Sequence, residues 1–411
     1  MRRIDDHQRP GFAIDAAPLV RRARIEIDAV AGLEDPFAPL AASAKPSRRS
    51  FLAGGTAVGA AALSFPMIAQ AQAPVKLRFQ SAWPVKTIFH EFAVDYTRKV
   101  EEITGGRIVI QMLPAGAVVP ALQVMESTSK GVLDGAHGVP GFWFGRNTAF
   151  GLFGAGPNFA MNSDQTPGWM EYGGGRQLYE ELLAVAQLDV VSLLDAPVPC
   201  EPFGWFRKEV RTPADLKGLK YRTAGLAVEM MQVIGAAPVQ LAAGDIVPAL
   251  GRGLIDAAEF AQATDDRILG FPDVAKIYYQ RSYHMANNMF EIMINKKTFD
   301  ALPAELRLLL RLATQAASAR MSWKAMDRLS RDFIELQTKD KVRALKTPRP
   351  ILDAQLKAWT AVIDRRSKEN PLFAKIVASQ REWAQRVVYW DVEVTVDPAP
   401  AYNHFFGKTP V

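Results

Sequence analysis

Lys217-Gly-Leu-Lys-Tyr-Arg222 is the stretch on which the reading of the fold turns. Upstream stand Gly204-Trp-Phe-Arg-Lys208 and Thr212-Pro-Ala-Asp-Leu216. Downstream come a helical segment, then Gly244-Asp-Ile-Val-Pro-Ala-Leu250, then a short apolar run over 254–260 that contains Glu259 and Phe260. Short strands separated by helical segments are the grammar of an open α/β sheet. Ligands of such sheets collect beyond the carboxyl ends of the strands. Arg222 ends one strand and precedes Thr223-Ala-Gly225, small residues that leave space. A guanidinium can hold a carboxylate through two parallel hydrogen bonds. Arg222 is therefore expected to anchor an anionic small molecule, against the ordinary alternative of a surface charge.

The same grammar continues on both sides of this stretch. Residues 75–80, 107–113 and 132–137 read as strands, with helices over 88–102 and 121–130. Gly105-Gly106 closes the first of these helices. Residues 170–186 read as a helix interrupted at Gly173-Gly-Gly175, and 189–194 as a buried strand. The three prolines of 195–202 suggest a crossing between lobes. Residues 290–295 read as a returning strand, and a long amphipathic helix follows Pro303 to about 338. Residues 351–384 are helical with a break at Pro371, and the Pro/Tyr/Phe-rich end has no clear pattern. Domain organisation follows: lobe I from 74–200, lobe II from 201–287, a return to lobe I over 288–345, and C-terminal helices over 346–411 packing across the lobes.

The first 73 residues read as an address. Ser47-Arg-Arg-Ser-Phe-Leu52 is a twin-arginine pattern, and the apolar, small-residue run after it is too short to span a bilayer. Ala69-Gln-Ala71 and Ala71-Gln-Ala73 are both small-x-small cleavage sites, and Pro74 favours the cut after Ala71. The expectation is export to the periplasm by the twin-arginine route, with an uncleaved anchor as the alternative. Residues 1–46 are expected to carry no fold. A start codon placed too far upstream and a disordered extension both account for them.

Composition narrows the chemistry. The 411 residues carry a formal charge of +6, but the basic residues are interspersed and no Lys/Arg block alternates with aromatics, which argues against nucleic acid as a partner. One cysteine, Cys200, rules out an internal disulfide or a thiolate metal cluster, and reads as a small buried hydrophobe. His90, His137, His284 and His404 are scattered without metal-ligand spacing. The loop Gly138-Val-Pro-Gly-Phe-Trp-Phe-Gly145 offers Phe142 and Trp143 either to a pocket wall or to the core. No nucleophile elbow, dinucleotide fingerprint or phosphate loop is present, so binding is a better reading than catalysis and no cofactor is expected.

Taken together, Gly204-Trp-Phe, Lys217-Gly-Leu-Lys-x-Arg222, Gly244-Asp-Ile-x-Pro-Ala-Leu250 and Gly253-x-Ile-Asp-Ala-x-Glu259 resemble the DctP-type solute receptors of tripartite ATP-independent periplasmic (TRAP) transporters. The similarity covers roughly residues 75–400 and lies nearest the branch that binds 2-oxo acids and other small monocarboxylates. It implies an α/β, two-lobed periplasmic-binding-protein fold with the ligand cleft between the lobes. The implied partners are a small organic carboxylate and the transporter's membrane subunits, with a homodimer as in relatives of that branch. Carried over by position, Arg222 pairs with the ligand carboxylate, while Phe260, Phe142, Trp143 and Glu201 line the site. Glu259, Glu201 and the Phe260 backbone would hold a Na+ or Ca2+ ion beside the ligand. Two departures stand out: Glu201 replaces the branch's Gln, and Met285 replaces a further Glu. Met285 offers a hard cation no side-chain oxygen. Glu201 could join the cation, pair with Arg222, or accept from a ligand hydroxyl or amine. An exported enzyme and a ligand-sensing receptor on the same scaffold are the alternatives to a transport receptor.

Overall fold

The computed structural model describes residues 73–198 and 201–407, with the side chains of 194–198 left out. The twin-arginine pattern, the cleavage site and Cys200 lie outside the described residues.

Two sheets carry the chain. The first has the order β2 (Ile108–Leu113), β1 (Val75–Ser81), β3 (Gly135–Gly138), β10 (Asn288–Asn295), β4 (Val190–Val198). β1 pairs parallel with β2 and β3, whereas β10 lies antiparallel to both β3 and β4. All eight residues of β10 are buried, as a central strand covered on both faces requires. The second sheet has the order β11 (Arg343–Lys346), β9 (Ile277–Gln280), β5 (Gly204–Phe206), β8 (Ala257–Ala258), β6 (Lys220–Arg222), β7 (Ala237–Val239). These are the α/β sheets that the sequence grammar implies, in the two-lobed architecture expected from the resemblance.

Local chemistry sets the element ends. The Ile88–Thr104 helix starts where the Thr87 hydroxyl accepts from His90 N, and stops at Gly105, which takes the left-handed conformation at φ 61°. Its apolar residues Phe89, Phe92, Ala93, Tyr96 and Val100 recur at helical spacing and are buried. The break expected at Gly173–Gly175 separates the Gln165–Tyr172 and Gly175–Val185 helices. At Pro371 the chain likewise divides into the Arg349–Glu369 and Pro371–Val394 helices, with Asn370 capping the second through Leu372 N and Phe373 N. The end of the chain differs from its reading. Pro398–Phe406 is a helix, started by Asp397 accepting from Ala399 N and by proline at its first position. None of its residues is buried, so it carries no apolar period facing a core.

The chain passes between sheets at three places: after β4, after β9, and at the end of the 35-residue Ala304–Thr338 helix, whose exit forms β11 on the second sheet. That last strand was not foreseen, because Arg-Ala-Leu-Lys is too short and polar to read as one. The first two crossings are held together, Glu201 N donating to Met285 O at 3.1 Å. Glycine is required at 204, where φ is 104° and a Cβ would stand 2.3 Å from Ala258 O. β5 thus approaches β8 closely, just after Glu201 and just before Glu259. Among the described residues no helix is long and apolar enough to cross a membrane.

Candidate functional site

Arg222 is the last residue of β6, and its guanidinium is buried. Nε and Nη2 both donate to Leu241 O, at 3.1 and 3.0 Å. Nη1 donates to Glu259 O at 2.7 Å and to Glu259 Oε2 at 3.3 Å. These bonds use four of the five guanidinium N–H groups. The fork is therefore fixed from behind by two carbonyls, and a second carboxylate must share it with Glu259. The carboxylate of Glu259 forms an ion pair with Arg222, and the Arg222 charge also acts on Glu201.

Glu259 follows β8, and Glu201 comes from the β4–β5 crossing. They are 1% and 3% exposed, so two carboxylates face one guanidinium away from water. Burial, then the Glu259 charge, pushes Glu201 well above the usual carboxylate range, with Glu259 and Asn288 as hydrogen-bond partners. Glu259 Oε1 finds no donor among the described residues. The backbone carbonyl that reaches Arg222 here is that of Glu259, whereas Phe260 contributes its ring, 5.7 Å below the guanidinium carbon.

These groups open onto one small cavity of about 20 Å3, room for about one water. Glu201, Arg222, Glu259, Phe260, Met285 and Asn288 line it on one side, and Trp83, Phe89, Phe142 and Phe290 on the other. The aromatic wall is continuous: Phe89 lies 5.1 Å from Trp83, 4.8 Å from Phe290 and 5.9 Å from Phe260. Phe142 joins it 5.5 Å from Trp83. Low polarizability around the charges makes each electrostatic contact stronger than it would be in water.

Trp143 is placed elsewhere. It stands behind Phe142 and donates Nε1 to Glu291 at 2.8 Å, in a buried cluster with Tyr179 and Ser192. Of the five residues expected to meet the ligand, Arg222, Glu201, Phe260 and Phe142 line the cavity, and Trp143 is not among the lining residues. Trp83 and Phe89 were missed. The available signal was their position: Trp83 follows the carboxyl end of a parallel strand, where ligands of such sheets sit.

His284 was also missed, because nothing in linear spacing joins it to 201 and 259. One oxygen from each glutamate and a ring nitrogen of His284 lie within 4.8 Å of one another. Donors bound to one ion at about 2.0–2.6 Å reach separations of this order. His284 is fully buried, and burial holds its imidazole at about 4, neutral at ordinary pH. Its Nδ1 lies 2.7 Å from Ser282 Oγ. The carboxylates suit a hard cation such as Na+ or Ca2+; the imidazole and the thioether of Met285 do not.

A tie across the cleft lies nearby. Asp265, on the Ala263–Leu269 helix after β8, accepts from Ile88 N at 2.6 Å and so caps the first helix of the other sheet. Burial raises Asp265 to about 7 and its neighbour Asp266, which accepts from Trp205 Nε1 at 2.8 Å, to about 8.

Comparison with known proteins decides the family. Residues 79–369 match the family described as bacterial extracellular solute-binding protein, family 7, also called DctP. This chain belongs to that family. Its members and structural relatives are solute receptors of TRAP transporters, not enzymes, and the receptors of the family are periplasmic. A curated monocarboxylate 2-oxoacid-binding periplasmic protein from a Nostoc species is 26% identical over 317 residues, 77% of this chain and 86% of that protein. A TRAP transporter solute-binding protein from Bordetella bronchiseptica, solved as a dimer with copurified calcium and picolinate, is 29% identical with a TM-score of 0.75. That match spans 81% of this family 7 chain and 97% of the other. A Pseudoalteromonas atlantica receptor with bound sodium and pyruvate is 26% identical, with the same TM-score and 81% and 99% coverage.

Proposed function

We propose that this receptor binds a small organic monocarboxylate of the 2-oxo acid kind at Arg222 and delivers it to TRAP membrane subunits. The observation that carries the reading is the buried, carbonyl-anchored guanidinium at the floor of a small, aromatic-walled cavity. A carboxylate on the remaining N–H of Arg222 would displace Glu259 Oε2, the longest of the four bonds, to gain its second contact. The names of the relatives, with pyruvate and picolinate bound, point to the same ligand class.

Charge bookkeeping supports a cation in the same site. Glu201 and Glu259 against Arg222 leave one negative charge when both are ionised, and the ligand adds another. Burying two uncompensated charges is prohibitive, so the site needs a cation, or a proton on Glu201. Relatives carry sodium or calcium, and we place the cation here at Glu201 and Glu259.

The crossings after β4 and β9, tied by Glu201 N and Met285 O, are the proposed hinge between the expected lobes, and closure over the ligand is the state that the membrane subunits read. We also propose export by the twin-arginine route with cleavage near Ala71; β1 begins at Val75, immediately after it. A homodimer is proposed through the end of the chain. Tyr389, Trp390, Val392, Val394, Val396, Phe405 and Phe406 are exposed, a larger apolar run than solvent favours.

A thermal-shift screen of the purified chain against small organic acids tests the ligand class. Stabilisation by pyruvate and related monocarboxylates, lost in Arg222→Lys, is expected. Indifference to every carboxylate would refute the proposal.

A further inference from the structure

We propose that the cation beside the ligand is a first-row divalent transition ion held by Glu201, Glu259 and His284, in place of Na+ or Ca2+. The inference rests on the reading above that a cation accompanies the bound carboxylate. Three chain segments bring the donors together: the β4–β5 crossing, the end of β8, and the β9–β10 crossing. Buried polar atoms are nearly always partnered, yet Glu259 Oε1 and His284 Nε2 both lack partners among the described residues. Two orphaned acceptors in one buried cluster call for a positive group that takes lone pairs.

The surroundings of His284 give its Nδ1 a hydrogen-bond partner, as such an ion needs. Ser282 Oγ lies 2.7 Å from His284 Nδ1 and accepts from Gln355 Nε2 at 2.9 Å, with Gln355 Oε1 at 3.2 Å. Gln355 Oε1 in turn accepts from Tyr283 N at 2.9 Å, which locks the pair in place. With the Nδ1 hydrogen donated to Ser282 Oγ, Nε2 bears the lone pair, and a hydrogen-bonded second ring nitrogen is the usual support of a metal-bound histidine. Sodium and calcium take shells of oxygen, whereas imidazole with carboxylate suits manganese, zinc and their neighbours. Charge favours a divalent ion as well. One guanidinium, two carboxylates, one ligand carboxylate and one divalent ion sum to zero, while Na+ would leave one negative charge buried.

Calorimetric titration of the EDTA-treated chain with Mn2+, Zn2+ and Ca2+, each with and without pyruvate, tests the assignment alongside pulsed EPR of the Mn2+ form. Mn2+ and Zn2+ are expected to bind at least about tenfold tighter than Ca2+, with a nitrogen coupling in the EPR signal. His284→Gln, which keeps volume and a polar end, is expected to abolish the coupling and bring the three ions to similar affinity. Should that variant fail to fold, the coupling in the unaltered protein decides alone. Calcium binding as tight as manganese, or a manganese signal without nitrogen coupling, overturns the assignment. Pyruvate binding in calcium would then leave the carboxylate reading standing. If pyruvate fails to bind, with or without any of the three ions, while the manganese signal keeps its coupling, the cation site stands and the carboxylate reading falls.

Discussion

Two buried carboxylate sites sit on neighbouring parts of this molecule, and they are built on opposite principles. Glu291, on the central strand of the first sheet, accepts from Trp143 Nε1, Tyr179 OH and Ser192 Oγ at 2.7–2.8 Å. Burial raises its pKa, and the three donors pull it back. The site at Glu201 and Glu259 is the reverse: two carboxylates face each other, Glu259 Oε1 finds no donor among the described residues, and the Arg222 guanidinium pairs with Glu259. A satisfied buried charge is part of the scaffold. An under-compensated pair is a place prepared for something else, and here that is a carboxylate ligand with its cation.

The comparison breaks most readily at the glutamates themselves. Glu291→Leu strands three buried donors and should cost about 3–5 kcal/mol in chemical denaturation, with pyruvate affinity of the folded fraction unchanged. Glu259→Gln leaves one carboxylate for one guanidinium, so its stability should stay within about 1 kcal/mol while pyruvate and cation binding are lost. Equal stability costs would erase the distinction. Next in size, Arg222→Lys keeps the charge but removes the planar fork. Pyruvate affinity should fall about a hundredfold, roughly 2.7 kcal/mol, by isothermal titration.

A pH profile sharpens the comparison on the second-sheet side. Asp265 and Asp266 are raised to about 7 and about 8, so their contribution is full below the unfolded carboxylate pKa and is lost as pH rises through those values. His137 and His284 are lowered to about 3 and about 4, so theirs is lost as pH falls below the unfolded histidine value. Between pH 4 and 6.5 the two trends oppose each other; above 6.5 the buried carboxylates raised out of their usual range, Glu201 with the two aspartates, set the slope. Stability should fall by on the order of 2 kcal/mol between pH 6.5 and 8. Asp265→Asn, which keeps the acceptor for Ile88 N, should flatten part of that fall; an unchanged slope would contradict the assignment. The smallest effect belongs to Trp143→Phe. It removes one donor from Glu291 and should cost about 1–2 kcal/mol, with pyruvate affinity unaltered.

What was legible in the sequence follows from range. Arg222, Glu259 and Phe260 were readable because strand ends and the motifs around them are local signals; the alternation of strands and helices pointed to open α/β sheets, and the family resemblance to two lobes. The interruptions at Gly173–Gly175 and Pro371 were legible for the same reason: glycine and proline act on their own backbone. The aromatic wall was not. Trp83 and Phe89 come from the loop and helix after β1, and only sheet order brings them opposite Arg222. Trp143 and Phe142 are adjacent in sequence, yet a short helical turn over Pro140–Trp143 sends one to the cavity and the other to Glu291. His284 reaches the two glutamates only because the crossings after β4 and β9 are hydrogen-bonded to each other. Linear spacing carries no trace of that contact.

The central claim is that a buried arginine fork, shared with Glu259, receives a small carboxylate. Isothermal titration of pyruvate into the purified chain, with a divalent ion present, tests it most directly when repeated on Arg222→Lys. One-to-one binding in the unaltered protein, weakened about a hundredfold in the variant, is the predicted result. Equal affinity in the two proteins, or no heat from pyruvate and any related monocarboxylate, would contradict it.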